Sequence, residues 1–141
     1  MDKREIDVMK ALLELEETKE FKFLKDITYV KAIWLNNMTI VIIKPAGHRP
    51  VELKRLAKAL SEKLGERVQV VEQTKDLKRL AAELMSPARV SGVNMVWLPD
   101  GTVQYVVRVS RFDAKMLPAE PKVIEEALTK ILGSPTRIRI D

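Results

Sequence analysis

The sequence predicts an α+β protein built from two tandem units of the same kind. Stretches with helical spacing of apolar residues alternate with β-branched runs that are broken by turn residues. The same features then recur in the same order further along the chain. The chain has 141 residues, which suffice for one ordinary domain or two very small ones. We predict the two units at residues 1–74 and 75–141.

The first unit is predicted to contain a helix, a hairpin, a second helix and a strand. Apolar residues three and four apart indicate an amphipathic helix over Lys3–Thr18. β-branched runs on either side of Asn36-Asn37 indicate a hairpin. Its two strands are Thr28–Leu35 and Thr39–Ile43. A helix over Glu52–Leu64 ends where Gly65 supplies the left-handed residue that helix C-termini favour, and Arg67–Glu72 alternates as a strand.

The second unit repeats this order with one additional helix. Its predicted elements are a helix at Asp76–Met85, hairpin strands at Val90–Leu98 and Thr102–Val109 around Pro99-Asp100-Gly101, a short helix at Asp113–Leu117, a helix at Lys122–Leu132 and a strand at Arg137–Ile140. The full order is therefore α-β-β-α-α-β, with the short helix optional in the first copy.

Matching residues support a tandem duplication. Trp34-Leu35 recurs as Trp97-Leu98 and Thr39 as Thr102 at a spacing of 63, whereas Leu64-Gly65 recurs as Leu132-Gly133 at a spacing of 68. The second copy thus holds five more residues between hairpin and helix end. This is about one helical turn, and it falls where the short helix is predicted.

Composition excludes several functional classes. The chain has no cysteine and a single histidine, His48, so neither disulfides nor a thiolate or histidine metal centre is expected. No nucleophile paired with a base and no nucleotide-binding loop is visible, so we expect neither an enzyme nor a cofactor. The longest apolar run, Met38–Ile43, is too short to span a membrane, and we expect a soluble cytoplasmic protein with neither a membrane partner nor a small-molecule substrate.

Positive charge is concentrated in one stretch. The net charge is +5, but residues 2–20 carry four basic and seven acidic side chains while residues 44–67 carry seven basic and three acidic. The stretch Lys44–Leu64 is typical of a strand, a tight loop and a basic helix, an arrangement that offers unpaired N–H groups and a positive helix end to an anion. The candidate binding residues are Lys44, Gly47, His48, Arg49, Lys54, Arg55 and Lys58.

The chain resembles a known family. The order α-β-β-α-α-β is that of the type II KH domain, and two such units in about 140 residues are similar to the short archaeal NusA-type proteins. The resemblance covers almost the whole chain. Its most specific segments are Lys54-Arg55-Leu56, Leu64-Gly65-Glu66-Arg67-Val68, Val70-Val71-Glu72, Ser86-Pro87-Ala88-Arg89-Val90 and Val93-Asn94.

The resemblance implies a fold and a function. Each unit would be a three-stranded sheet with helices on one face. The protein would bind single-stranded RNA, namely the nascent transcript, in the control of transcription termination, antitermination or elongation, with RNA polymerase as a further partner. In KH domains a Gly-x-x-Gly loop lets the RNA backbone approach the peptide and clamps about four nucleotides.

Both loops depart from that pattern. The first reads Gly47-His48-Arg49-Pro50 and the second Pro118-Ala119-Glu120-Pro121. Proline removes an N–H donor, a Cβ crowds the phosphate and Glu120 adds negative charge, so the second loop is predicted not to bind. The first would hold RNA mainly by side-chain charge.

Other interpretations of these residues stay open. The basic residues of the Glu52–Leu64 helix also fit a solvated helix face, and His48 fits a loop residue without a role. The alternative function is a KH-derived module of the transcription or translation machinery that has lost RNA binding and docks on protein. Trp34 and Trp97 are predicted to share a packing role rather than to stack on bases.

Overall fold

The computed structural model describes residues 2–35, 38–45 and 53–141. The chain divides into two compact units, Met1–Gln73 and Thr74–Asp141, whereas the sequence places the boundary between residues 74 and 75. The elements of the first unit are α1 (Lys3–Glu16), β1 (Ile27–Leu35), β2 (Met38–Pro45), α2 (Leu53–Leu64) and β3 (Arg67–Glu72). Those of the second are α3 (Leu77–Met85), β4 (Gly92–Trp97), β5 (Val103–Val109), α4 (Arg111–Ala114), α5 (Pro121–Leu132) and β6 (Thr136–Ile140).

Helix α1 begins at an N-cap that the sequence provides. The Asp2 carboxylate accepts a hydrogen bond from the Arg4 N–H at 2.8 Å, which satisfies one of the free donors at the helix start. The helix ends two residues before the predicted Thr18, whose N–H and hydroxyl both donate to the Leu15 carbonyl oxygen. A short 3₁₀ helix at Lys22–Asp26, which the sequence did not predict, leads into β1.

The first sheet has the order β1-β2-β3. Strands β1 and β2 form an antiparallel hairpin, and the crossover through α2 brings β3 parallel to β2. All six residues from Met38 to Ile43 are buried, so both faces of the central strand are covered. The side that faces the helices packs against Val8, Ala11, Leu15, Leu56 and Leu60.

The second sheet has the order β4-β5-β6, again with an antiparallel hairpin and a parallel third strand. Val107, Val109 and Thr136 lie on its buried face. Alternation along the strands places Arg108 and Arg139, which are register partners, on the opposite, exposed face. In contrast to the first sheet, this sheet therefore leaves one face open.

The second unit has the predicted order α-β-β-α-α-β. The described part of the first unit contains one helix between β2 and β3, so the short helix is seen only in the second copy, which holds the five additional residues. It spans Arg111–Ala114 instead of the predicted Asp113–Leu117. The reason is the Ser110 hydroxyl, which caps the helix by accepting the Asp113 N–H at 3.1 Å.

Two glycines end the long helices as predicted. Gly65 and Gly133 have φ angles of +69° and +75°, in the left-handed region that glycine adopts without strain. The Gly133 N–H donates to the Thr129 carbonyl oxygen at 2.8 Å.

The two hairpins differ in register by one residue. In the first, Leu35 is the register partner of Met38. In the second, Trp97 is the register partner of Val103, and the Leu98 N–H donates to the Thr102 carbonyl oxygen at 2.9 Å. Turn length sets the register of a hairpin, so the sequence match between Thr39 and Thr102 does not correspond to equal positions in the two ladders.

Candidate nucleic-acid interface

Helix α2 carries the basic residues of the predicted site. Leu56 and Leu60 are fully buried and fix which side of the helix faces the sheet. The basic residues consequently point away from the core. Because this apolar row is fully buried, the basic side chains of α2 lie on its exposed side.

Lys54 and Lys58 lie four residues apart on the same side of α2 and are exposed. Lys44, near the end of β2, is exposed as well. None of these three lysines forms an ion pair with an acidic residue in the described part of the chain. They are therefore available to an anionic partner, and we refer to them as the lysine triad.

Arg55 and Lys63 have intramolecular partners instead. The Arg55 guanidinium contacts the Glu20 carboxylate, and both side chains remain more than half exposed. Lys63 Nζ lies 2.8 Å from Glu14 Oε2, and this hydrogen bond, followed by the charge of Lys63, holds the pKa of Glu14 below its ordinary value. Acidic residues of α1 and of the segment after it thus neutralise part of the positive charge of α2. Sequence reasoning missed these pairs, although the negative charge of residues 2–20 was a signal for them.

Three predicted site residues, Gly47, His48 and Arg49, lie outside the described residues. The prediction of an anion site at the loop before α2 depends on the same segment. Of the seven candidates, the structure therefore places Lys44, Lys54, Arg55 and Lys58.

The corresponding loop of the second unit is fully described. Pro118 is buried, and Pro121 is the first residue of α5. The N–H groups of Val123 and Ile124 donate to the Glu120 carbonyl oxygen at 3.0 and 3.2 Å. These two donors are already used and proline has none, so none of these four residues offers a backbone N–H to a phosphate.

Helix α4 and the residues after it carry an exposed apolar pair that sequence reasoning did not single out. Phe112 is 74% exposed and Met116 is 44% exposed. Exposed Arg111 and Lys115 stand beside them in the sequence. The sequence signal for this surface was a spacing of four residues, both between Phe112 and Met116 and between Arg111 and Lys115, because residues four apart share a helix face.

The two tryptophans have different environments, so the predicted shared packing role is wrong. Trp34 is half-buried, with the Arg4 guanidinium 5.1 Å from its ring centroid. Its Nε1 is buried and finds no acceptor among the described residues. Trp97 is 67% exposed. The helix before the first hairpin, α1, has 14 residues and places Arg4 over Trp34, whereas the helix before the second hairpin, α3, has only nine residues.

Within the described ranges, no group of three or more His, Cys, Asp or Glu side chains is arranged to hold a metal ion. The helices described in the structure are also all too short or too polar to cross a membrane.

Comparison with known proteins adds a structural match only. No family model matches the chain, and no curated protein matches it. Among solved structures, the chain is similar to the crystal structure of APE1850, with a TM-score of 0.61 and 21% sequence identity over 100% of both chains. At this level of identity the match shows a shared fold.

Proposed function

We propose that the protein is a sequence-tolerant binder of single-stranded RNA of the NusA type, which acts on the nascent transcript in transcription termination, antitermination or elongation control. The observation that carries this proposal is the lysine triad, because its cations are exposed and have no counter-ion in the described structure. In this proposal the protein works in the cytoplasm, without catalysis or a cofactor, and RNA polymerase is a further partner.

The resemblance to tandem KH proteins and the charge distribution support the same partner. The element order of the second unit agrees with the order that the resemblance implies. Phosphate neutralisation by lysine and arginine supplies most of the sequence-independent affinity for nucleic acid. Single strands also leave unstacked bases, which exposed apolar side chains such as Phe112 can contact.

Arg55 would contact an RNA phosphate only when its ion pair with Glu20 opens. Its ion pair with Glu20 is more than half exposed on both sides, and exposed ion pairs contribute only about 0–1 kcal/mol. An RNA phosphate can therefore compete with Glu20 at little cost. We expect the lysine triad to supply the main phosphate contacts and Arg55 a weaker one.

The test is a fluorescence anisotropy titration of a labelled single-stranded RNA of roughly 12 nucleotides, from about 50 mM to about 300 mM salt. We expect saturable binding whose affinity falls linearly on a log–log plot as salt is raised, together with similar affinities for RNAs of different sequence. Absence of binding at about 50 mM salt would refute the proposal.

A protein-interaction module is the second candidate. Phe112 and Met116 favour it, since exposed aromatic and methionine side chains are typical of protein docking surfaces. The partner would be RNA polymerase or another component of the transcription or translation machinery. A pull-down that retains the same partner after nuclease treatment supports this candidate, and loss of every partner after nuclease treatment contradicts it.

A further inference from the structure

The free edges of the two sheets are protected unequally. A three-stranded sheet has two outer strands, each with a row of unpaired N–H and C=O groups that can pair with another chain. These strands are β1 and β3 in the first unit and β4 and β6 in the second. Proteins usually guard such edges with charged residues, bulges or short strands.

Three of the four edges carry such protection. Strand β1 has a register irregularity between Tyr29 and Lys31, and Lys31 is exposed. Strand β3 begins with an exposed charged residue and ends with a buried one, and β6 is five residues long with two exposed arginines. The charged residues are Arg67 and Glu72 in β3 and Arg137 and Arg139 in β6.

Strand β4 has none of these devices between Gly92 and Trp97, although just before it the Ser91 N–H donates at 2.7 Å to the carbonyl oxygen of Arg108, the register partner of Gly92. Its sequence, Gly92 to Trp97, contains no charged residue and no proline, and its register with β5 is unbroken. It also presents three exposed apolar side chains near the hairpin turn: Met95 is 53%, Val96 is 41% and Trp97 is 67% exposed. A regular, uncharged and apolar edge is the kind that associates with another strand.

The pattern of backbone hydrogen bonds in β4 shows which of its residues direct their N–H and C=O groups toward the free edge. The Leu98 N–H donates inward to the Thr102 carbonyl oxygen, at the turn end of the hairpin. Alternate residues of an antiparallel strand bond to alternate sides, so Asn94 and Val96 also direct their N–H and C=O groups toward β5. Val93, Met95 and Trp97 direct theirs outward.

We propose that β4 pairs antiparallel with β4 of a second copy of this chain and joins the two second sheets into one six-stranded sheet. A two-fold axis at Met95 places Met95 opposite its own counterpart and Trp97 opposite Val93 of the other copy. Three residue pairs then exchange about six backbone hydrogen bonds. The two-fold axis runs perpendicular to the sheet, so the buried faces of both copies stay on the same side.

A second copy fits this edge better than a charged partner. β4 carries no charge that an identical strand would repel, and the arginines of β6 lie two strands away, about 10 Å from β4. The exposed parts of Met95, Val96 and Trp97 amount to roughly 300 Å² per copy, less than the about 800 Å² of a standard interface. We therefore expect a weak dimer with Kd above about 10 μM.

Sedimentation velocity of nuclease-treated full-length protein from about 1 μM to about 1 mM tests the proposal. The wild type is expected to shift from monomer to dimer. Met95→Lys places two like charges opposite each other at the axis and is expected to keep the protein monomeric throughout. Leu13→Lys is the matched control: it makes the same kind of change at a 62% exposed apolar residue of α1 and should leave the dimer intact.

Amide hydrogen exchange provides a readout that a general hydrophobic contact would not produce. The Val93, Met95 and Trp97 amides should gain protection as concentration rises, while those of Asn94 and Val96 are already protected in the monomer. A monomeric wild type up to about 1 mM overturns the proposal, as does dimerisation of Met95→Lys or equal loss of the dimer in Leu13→Lys. Because no RNA is present, these outcomes do not depend on the proposed RNA binding.

Discussion

Replacing the lysine triad should weaken RNA binding in a way that can be calculated. The variant is Lys44→Gln/Lys54→Gln/Lys58→Gln, which keeps long polar side chains and removes three charges. These residues are exposed and unpaired in the described structure, so their replacement breaks no described ion pair and should leave the fold intact.

The magnitude follows from counterion release. Each phosphate neutralised on a single strand contributes about 0.7 to the slope of log K against log salt. Loss of three contacts should therefore reduce the slope by about 2, which corresponds to roughly 100-fold weaker binding near 0.1 M salt. The assay is fluorescence anisotropy with single-stranded RNA over a series of salt concentrations.

A matched control separates local contacts from net charge. Lys3→Gln/Lys10→Gln/Lys19→Gln removes the same three charges from exposed positions on and just after α1, in the same unit. We expect this control to change the slope by less than about 0.7, one phosphate contact. Equal losses in the two variants, or an unchanged slope in the triad variant, would refute the assignment of the triad as the binding surface.

Further predictions concern the first unit. Leu60→Ala, at a fully buried position, should lower its free energy of unfolding by about 2–5 kcal/mol in denaturant titrations, and a loss below about 1 kcal/mol contradicts the packing described. Burial and the 2.6 Å hydrogen bond to Glu5 raise the pKa of Tyr29, so the stability it contributes is present below about pH 10 and is lost as pH rises through the folded pKa. Tyr29→Phe should cost about 1 kcal/mol at neutral pH and flatten this alkaline loss, as chemical denaturation at several pH values can measure. The lowered pKa of Glu14 gives stability that is lost as pH falls through the folded pKa, and Lys63→Gln should return that pKa toward the ordinary value in a carboxyl NMR titration, whereas an unchanged pKa excludes the pair.

Local features of the fold were predictable from the sequence. The helical spacing of Leu56 and Leu60 placed the basic side of α2 outward, and Gly65 and Gly133 marked both long helix ends. These features depend on residues within a few positions of one another. The five additional residues of the second copy located the short helix to within three residues for the same reason.

The candidate site was predictable only in part. Residue type and spacing placed Lys54 and Lys58 on an exposed helix face. The engagement of Arg55 by Glu20 depends on two segments 35 residues apart, and no local pattern reports such a pair. The exposure of Phe112 likewise depends on how the neighbouring elements pack, and the residues next to it in the sequence do not specify this.

By itself, the sequence determined that two α+β units follow one another and that positive charge is concentrated around α2. Tertiary structure alone decided which cations remain unpaired, how the hairpins are registered and which tryptophan is exposed. The physical reason is that charge pairing and burial depend on the distances between elements. The repeated Trp34 and Trp97 are alike in sequence, yet only Trp34 lies beneath Arg4 of a long first helix, while Trp97 stands exposed on an unprotected edge strand.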